Sequence, residues 1–280
     1  MGQKTHPTAL RPFYGPSSGD AYWDLAYLTH SRLELIKFLQ ACFRRTQIYL
    51  NKVEVNHSHG QIDLVAEVIQ VHPRRGQKRK KKRRDPSKPP HLLKSWPQLS
   101  FRLQKALPIV QKSTGAKSIH LKIHRIKMYT KLVPQDLRKK MRWAQKKHKY
   151  ARKGLQLLSL IMAGKGSAQT LASFINENLR SRQRRRKNIA FLYFLKTSLK
   201  LLNKNKKIQG IKIQVKGRYR HKPKARSASF LIRQGRLPLQ EIQSPIDAFF
   251  THSQTAYGSV GLKIWICPSQ AFPKHNLKQG

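Results

Sequence analysis

The residues best able to do chemistry in this sequence are cations, and they come in two dense groups. The first lies in HPRRGQKRKKKRRDPSKPP, His72 to Pro90. There Arg74 and Arg75 precede an unbroken basic run of Lys78, Arg79, Lys80, Lys81, Lys82, Arg83 and Arg84. The second is Arg180, Arg182, Arg184, Arg185, Arg186 and Lys187, with no acid among them. Like charges three or four residues apart on a helix repel one another. One reading of such a group is a solvated helix face. The other is a surface that neutralises phosphates and holds a nucleic-acid backbone without reading bases. Tyr219, Phe230 and Trp265 could add stacking on bases, although Trp265 sits inside an alternating strand and reads as core.

The whole chain shares this bias. It carries 59 Lys and Arg against 11 Asp and Glu, a formal net charge of +48 over 280 residues. That much self-repulsion disfavours a compact monomer unless a polyanion compensates it. No apolar run approaches the roughly 20 residues of a membrane-spanning helix, so no membrane partner is expected. With 39% hydrophobic residues the chain can still build a core. Catalysis finds little support. The carboxylates are scattered, with no pair at general acid–base spacing, and no zinc-protease, nucleophile-elbow or serine–lysine motif occurs. The expectation is a protein that is not an enzyme and needs no cofactor or metal. His57 and His59 are half a metal site or, as H-S-H before Gly60, a solvated turn. Gly164, Lys165 and Gly166 evoke a phosphate-binding loop without its spacing, and AGKGS reads as a flexible linker. Cys42 and Cys267 form no C-x-x-C pair and read as buried structural thiols. MGQKTHPTALRPFY has no long apolar h-region of a secretory signal.

The elements that must position these residues are legible in part. Residues 1–30 read as a loop-rich extension. RLELIKFLQACF has no Gly or Pro and suits a helix. IYLNKVEV alternates, a turn at His57 to Gly60 follows, and IDLVAEVIQV is a second strand. After the basic stretch comes a helix from about Pro97 to Gln111, with Gly115 as its C-terminal cap, and then the strand SIHLKIHRIKMY. PQDLRKKMRWAQKKHKYARK is a helix charged around most of its circumference, suited to lie on polyanion rather than on a core. SAQTLASFINENLRSRQRRRKNIAFLYFLKTSLKLL is one long helix or two abutting ones, with Ser167 as N-cap. Three strands follow: IQGIKIQVKGRY, ASFLIRQGRLPL with Gly235 interrupting it, and VGLKIWIC. The last has Val260, Leu262, Ile264 and Ile266 on one side. Helices beside an antiparallel sheet make the fold class α+β.

Several motifs resemble the ribosomal protein S3 family (uS3) of the small ribosomal subunit. GQKTHPTALR is similar to that family's opening G-Q-K-x-x-P-x-x-x-R, through Gly2, Gln3, Lys4, Pro7 and Arg11. GIKIQVKGR, KARS, GRLPL and IDAFFTHSQTAYGSVGLKIWI follow in the family's order. The resemblance covers the first ten or so residues and the last hundred, and the middle matches in element order alone. It implies two domains, a prokaryotic-type K-homology-like domain and a C-terminal α/β sandwich with an antiparallel sheet. The expected boundaries are an extension at 1–30, the K-homology-like domain at 31–129 with its basic loop at 72–92, a basic helical insertion and linker at 130–168, and the C-terminal domain at 169–280.

The resemblance also implies roles. The basic stretch occupies the place of the K-homology G-x-x-G loop, whose glycines let the main chain approach a nucleic-acid backbone. Only Gly76 is present and Arg79 stands where the second glycine belongs, so point charges from Lys78 to Arg84 replace the clamp. On the long helix, the family's F-R-[RK]-A-x-K pattern falls with Arg185 at the phenylalanine, Arg186 and Lys187 at the adjacent basic positions, and Ala190 at the third. Arg218 and Arg226, within GIKIQVKGR and KARS, complete the expected RNA-binding set. The implied partners are small-subunit ribosomal RNA, messenger RNA where it enters its channel, and neighbouring proteins of the subunit head. YWDLAY, Tyr22 to Tyr27, resembles the aromatic segment of mitochondrial members. The mitochondrion is the expected location, with the plastid as alternative. An organellar RNA-processing protein and a nuclear nucleic-acid-binding protein, addressed by KRKKKRR, are the competing readings.

Overall fold

A computed structural model of the chain describes residues 5–7, 10–11, 25–43, 48–58, 60–70, 96–126, 135, 139, 142, 149–180, 188–202, 208–219, 226–255 and 258–269. The chain divides into two compact units. One comprises residues 19–127, and the other joins residues 1–18 to residues 128–280.

The contiguous unit contains helix α1 (Leu25–Phe43), strands β1 (Ile48–Ser58) and β2 (Gln61–Gln70), helix α2 (Trp96–Thr114) and strand β3 (Ser118–Ile126). Helix α1 begins earlier than RLELIKFLQACF suggests, so residues 25–30 are helical rather than loop. It buries Leu35, Leu39 and Phe43, spaced four apart on one stripe. Strands β1 and β2 form an antiparallel hairpin whose pairing continues to Ser58↔Gln61. His57 therefore pairs with Ile62 within the hairpin rather than opening the turn. Gly60, at φ 81°, supplies the left-handed backbone that a two-residue hairpin loop demands. A bulge between Leu50 and Lys52 explains why apolar residues change parity along β1. The extra residue lets Ile48 and Leu50 share one core with Val53 and Val55. Beyond α2, which ends at Gly115 with φ 63°, β3 pairs parallel to β2. The sheet order is β1-β2-β3. Leu99 and Leu103 of α2 close the core against Ile62, Leu64, Ala66 and Val68 of β2.

The second unit contains helices α3 (Lys149–Met162), α4 (Ala168–Arg180) and α5 (Asn188–Leu202). They precede strands β4 (Ile208–Gly217), β5 (Ala228–Gly235), β6 (Asp247–Thr255) and β7 (Gly258–Pro268). The sheet is antiparallel throughout, in the order β5-β4-β7-β6. Its inner face is apolar where the alternation predicts it. Ile211, Ile213 and Val215 lie opposite Ile266, Ile264 and Leu262, all buried. Helix α4 packs on β6 and β7. Tyr193 of α5 meets Phe230 of β5 edge-on, 5.6 Å between ring centroids. Both helices thus cover the inner face.

Of the two forms the sequence left open for the long helical region, the described residues show two helices, α4 and α5. Two other expectations change here. Helix α3, expected to belong to a basic insertion and linker, is core: Tyr150, Ala151, Leu155, Leu157, Leu158, Leu160 and Ile161 are buried. The charge stops at Lys153 and the apolar run LQLLSLIM that follows has nowhere to go but inward. Tyr150 meets Phe191 and Phe194 edge-on at 5.0 and 5.4 Å, and Phe174 meets Phe191 at 5.9 Å, so one aromatic cluster ties α3, α4 and α5 together. AGKGS is a hydrogen-bonded cap between two buried helices rather than a linker. The Ala163, Gly164 and Lys165 amides donate to the carbonyls of Ser159, Ile161 and Leu160. The expected N-cap is present, since Ser167 Oγ accepts the Thr170 amide at 3.3 Å. Strand β6 escaped the sequence reading altogether. It is an edge strand carrying Asp247, Thr251 and Ser253 inward and His252 outward, so polar residues on both faces erase the alternation. Among the described residues, no helix is long and apolar enough to cross a membrane. None of their His, Cys, Asp and Glu gather in threes to hold a metal ion.

Gly235 and Gly210 lie directly opposite at the end of the β4–β5 ladder. Gly235 has φ 77°, and a Cβ on it would overlap the Gln209 carbonyl oxygen. At Gly115, also at positive φ, a Cβ would meet nothing within 4 Å. Gly235→Ala is expected to destabilise the chain by more than the roughly 1 kcal/mol of Gly115→Ala, since only the former adds a backbone collision to the strained φ. Urea midpoints of the two variants measure the difference, and equal losses would refute the close approach.

Candidate nucleic-acid interface

The described part of the expected RNA-binding set is small and dispersed. Arg180 is exposed in the last turn of α4, Arg218 is half-buried just past β4, and Arg226 is exposed just before β5. Arg74, Arg75, Lys78 to Arg84, Arg182, Arg184, Arg185, Arg186 and Lys187 lie outside the described residues, as does His59. Of the two dense groups, only Arg180 is among the described residues. Base stacking is not open to the aromatic residues named for it. Tyr219 is buried, Phe230 is enclosed by Tyr193 and Tyr219, and Trp265 is buried with the Lys212 ammonium 4.8 Å from its ring centroid.

The second unit is organised instead around a cation that the sequence did not single out as an anchor. Arg11 is 2% exposed. Its Nε donates to the Ser244 carbonyl at 2.9 Å and one terminal nitrogen donates to the Pro7 carbonyl at 2.9 Å. The other terminal nitrogen reaches the carbonyls of Glu241 at 2.6 Å, Leu239 at 3.0 Å and Pro238 at 3.4 Å. A guanidinium has five N–H donors in a rigid fork and cannot lose its charge. Here backbone oxygens converge on it. The opening motif GQKTHPTALR is thereby tied to GRLPL and the turn that follows. The turn is braced by Arg236, whose guanidinium pairs with Glu241 at 2.8 Å, and by Ser244, whose hydroxyl donates to Glu241 at 2.8 Å. Beneath them Leu237, Ile246, Ala248, Trp265 and Cys267 form a small second core on the outward side of the sheet. His6 extends this cover, its ring 4.3 Å from that of Phe250.

Asp247, in the family-like I-D pair, serves the opposite face. Its Oδ2 accepts the Ala168 amide at 2.6 Å, so the strand supplies a second cap for α4. Burial pushes this carboxyl above its ordinary range, against the pull of that N–H. Both cysteines are free, Cys42 half-buried and Cys267 buried, and burial raises both thiols. They remain protonated and unreactive at neutral pH, as structural thiols do.

Four cations on the outward face of the sheet also went unremarked in the sequence: Lys212, Lys216, Arg233 and Lys263. The signal was present, because each occupies the polar phase of a strand whose apolar phase was recognised. Dense runs drew attention away from charges spaced by the pleat.

The described residues thus define a two-layer α+β unit with a peptide from the start of the chain pinned onto its sheet. Comparison with known proteins names that class. Residues 182–266 match the family described as Ribosomal protein S3, C-terminal domain. The chain is 34% identical over 119 residues to small ribosomal subunit protein uS3c of Zygnema circumcarinatum, covering 42% of this chain and 47% of that protein. It is 37% identical over 107 residues to small ribosomal subunit protein uS3 of Borrelia turicatae (strain 91E135), covering 38% and 36%. It is 35% identical over 132 residues to uS3c of Gracilaria tenuistipitata var. liui, covering 47% and 55%. The matched part thus spans about a third to about half of these relatives' length. Residues 182–266 thus carry the C-terminal domain of the ribosomal protein S3 family.

Arg11→Ala is expected to lower stability by about 2–4 kcal/mol, because it leaves a cluster of carbonyls without their charged donor. Arg11→Lys should recover only part, since an ammonium lacks the fork. Denaturant unfolding of the three proteins at one salt concentration checks this, and an unchanged midpoint for Arg11→Ala would sink it. Asp247 gives a pH signature. Its folded-state pKa is raised, so the cost of burying its charge is present at neutral pH. Stability should rise as pH falls through the raised value, and the gain is complete below the ordinary carboxylate pKa of about 3.9. Asp247→Asn keeps an acceptor for the Ala168 amide and should remove this component from the melting-temperature profile. Parallel profiles for the two proteins would show that the group does not titrate as described.

Proposed function

We propose that the chain is a structural constituent of a small ribosomal subunit, bound to ribosomal RNA in the subunit head near the place where messenger RNA enters its channel. The observation that carries this reading is the match of residues 182–266 to the S3 C-terminal domain, in a chain whose net charge is +48. A charge of that size calls for a polyanion, and ribosomal RNA supplies one. Neighbouring head proteins and the incoming message are the further partners of this proposal. Residues 31–129 are read as a K-homology-like domain. The order α1-β1-β2-α2-β3, with β3 parallel to β2, supports that reading. Lys78 to Arg84 fall between β2 and α2, where the nucleic-acid loop of such a domain belongs. We place the ribosome in the mitochondrion, on the YWDLAY segment. The relatives named uS3c favour the plastid as a second reading.

Tagged chain is expected to co-sediment with small subunits rather than with chromatin. Replacing Lys78 to Arg84 by serine should release it at lower salt, because counterion release is lost. Scrambling the same seven residues should leave incorporation nearly intact, since phosphate contacts carry no sequence information. Sedimentation with chromatin would overturn the ribosomal reading. Full incorporation of the serine variant at every salt concentration would remove the basic stretch from the RNA interface.

A further inference from the structure

The sheet of the second unit has its inner face filled by helices and one corner of its outer face filled by the Arg11 peptide. The outward positions form three rows across the strands β5, β4, β7 and β6, of which Trp265, Ala248 and Phe250 belong to the covered corner. They read Arg233–Lys212–Trp265–Ala248, Leu231–Gln214–Lys263–Phe250 and Ser229–Lys216–Gly261–His252. Lys216, Arg233 and Lys263 are exposed, and Lys212 is half-buried. No carboxylate occupies any of these positions, because Asp247, the one acid on the four strands, points inward to cap α4.

Within the sheet this arrangement is unfavourable. Arg233 and Lys212 are direct cross-strand partners, and like charges placed opposite destabilise a ladder. The strands keep such charges on ordered backbone at fixed spacing, where side chains two apart along a strand and on adjacent strands define a plane of positive potential. His6 reports that potential. Its imidazole is held below its ordinary pKa by burial and by the Lys263 charge beside it.

We infer that the outward face of the β5-β4-β7-β6 sheet is an RNA-backbone site, with Lys216, Arg233 and Lys263 contacting phosphates. The inference rests on the ribosomal RNA reading above and adds a surface distinct from both dense basic groups. The site binds phosphate rather than bases. Sheets that read single-stranded RNA present bare aromatic rings on which bases stack. Here both outward rings are already engaged. Lys212 lies over Trp265, Lys263 lies 5.0 Å from the Phe250 centroid, and the His6 ring meets Phe250 at 4.3 Å. Phosphate oxygens need only the charges. Recognition is therefore tolerant of sequence and sensitive to salt.

The test compares the full-length chain with a Lys216→Gln, Arg233→Gln, Lys263→Gln variant. Both are titrated with small-subunit ribosomal RNA at rising salt, after melting curves have shown the variant folded. For single-stranded contacts the slope of log affinity against log salt should fall by about 0.7 per lost phosphate, roughly 2 for the three. A second variant, Gln214→Glu, keeps every cation and sets an anion among them, so it should weaken binding even if the triple variant fails to fold. Polyglutamate is the competitor for an acidic protein partner, and it should displace RNA no better than its charge density allows for any polyanion. An unchanged slope and undiminished binding by Gln214→Glu, with the unaltered chain still binding RNA, would overturn this site and leave the ribosomal reading intact. Selective competition by polyglutamate at this face would assign it to an acidic protein and overturn it as well. Failure of the unaltered chain to bind ribosomal RNA would overturn both.

Discussion

One guanidinium in a ring of backbone oxygens pins the opening peptide onto the second unit. Arg11 gathers carbonyls from Pro7, Pro238, Leu239, Glu241 and Ser244, joining positions more than 220 residues apart in sequence. A buried charge is costly unless its hydrogen bonds are made, and here carbonyl dipoles make them without a carboxylate. That choice suits a chain with few acids. An ion pair would draw on one of eleven carboxylates, while main-chain oxygens are always available. It also constrains the turn after β5, which must hold its carbonyls pointing inward. Gly235 and Gly210, opposite one another with no side chains between, let the backbone bend tightly enough to do so.

The elements that could be read from the sequence were those whose side chains sort cleanly by face. Val260, Leu262, Ile264 and Ile266 are buried on one side of β7, as their alternation requires. Ser167 and Gly115 mark helix ends by the chemistry expected of them. Legibility failed where a second influence overrode the local pattern. In β1 a bulge shifted the parity, so Val53 and Val55 looked out of phase with Ile48 and Leu50 while packing beside them. In β6 the inward positions include Asp247, whose partner lies on a helix, and Ser253, which is buried in the unit's interior. No strand-period scan anticipates them. Helix α3 was hidden by its charged approach, which made the whole region look like surface.

The candidate site shows the same division. Density of charge along the sequence is easy to see, and it directed the reading to Lys78–Arg84 and Arg180–Lys187. Charge arranged by the pleat is diluted by the apolar residues that alternate with it. Lys212 and Lys216 are separated by Ile213 and Val215, and only the strand geometry puts the cations on one surface. Arg11 was visible as part of a motif, yet a lone arginine in a proline-containing peptide gives no sign of being buried. Its role depends on acceptors that are more than 220 residues away.

The union of residues 1–18 with residues 128–280 has a consequence for how the polypeptide is made. Synthesis runs from the N-terminal side, so the Arg11 peptide emerges more than 220 residues before the acceptors in the turn after β5. Residues 19–127 form a unit of their own and can acquire structure while the rest is still being synthesised. The other unit cannot. β7, a central strand flanked by β4 and β6, is the last of the described elements to emerge, and without it the sheet is split into separate pieces. Its contacts span large loops whose closure entropy must be met before any pairing rewards it. The Arg11 peptide therefore waits, unattached, until the turn after β5 has emerged more than 220 residues later.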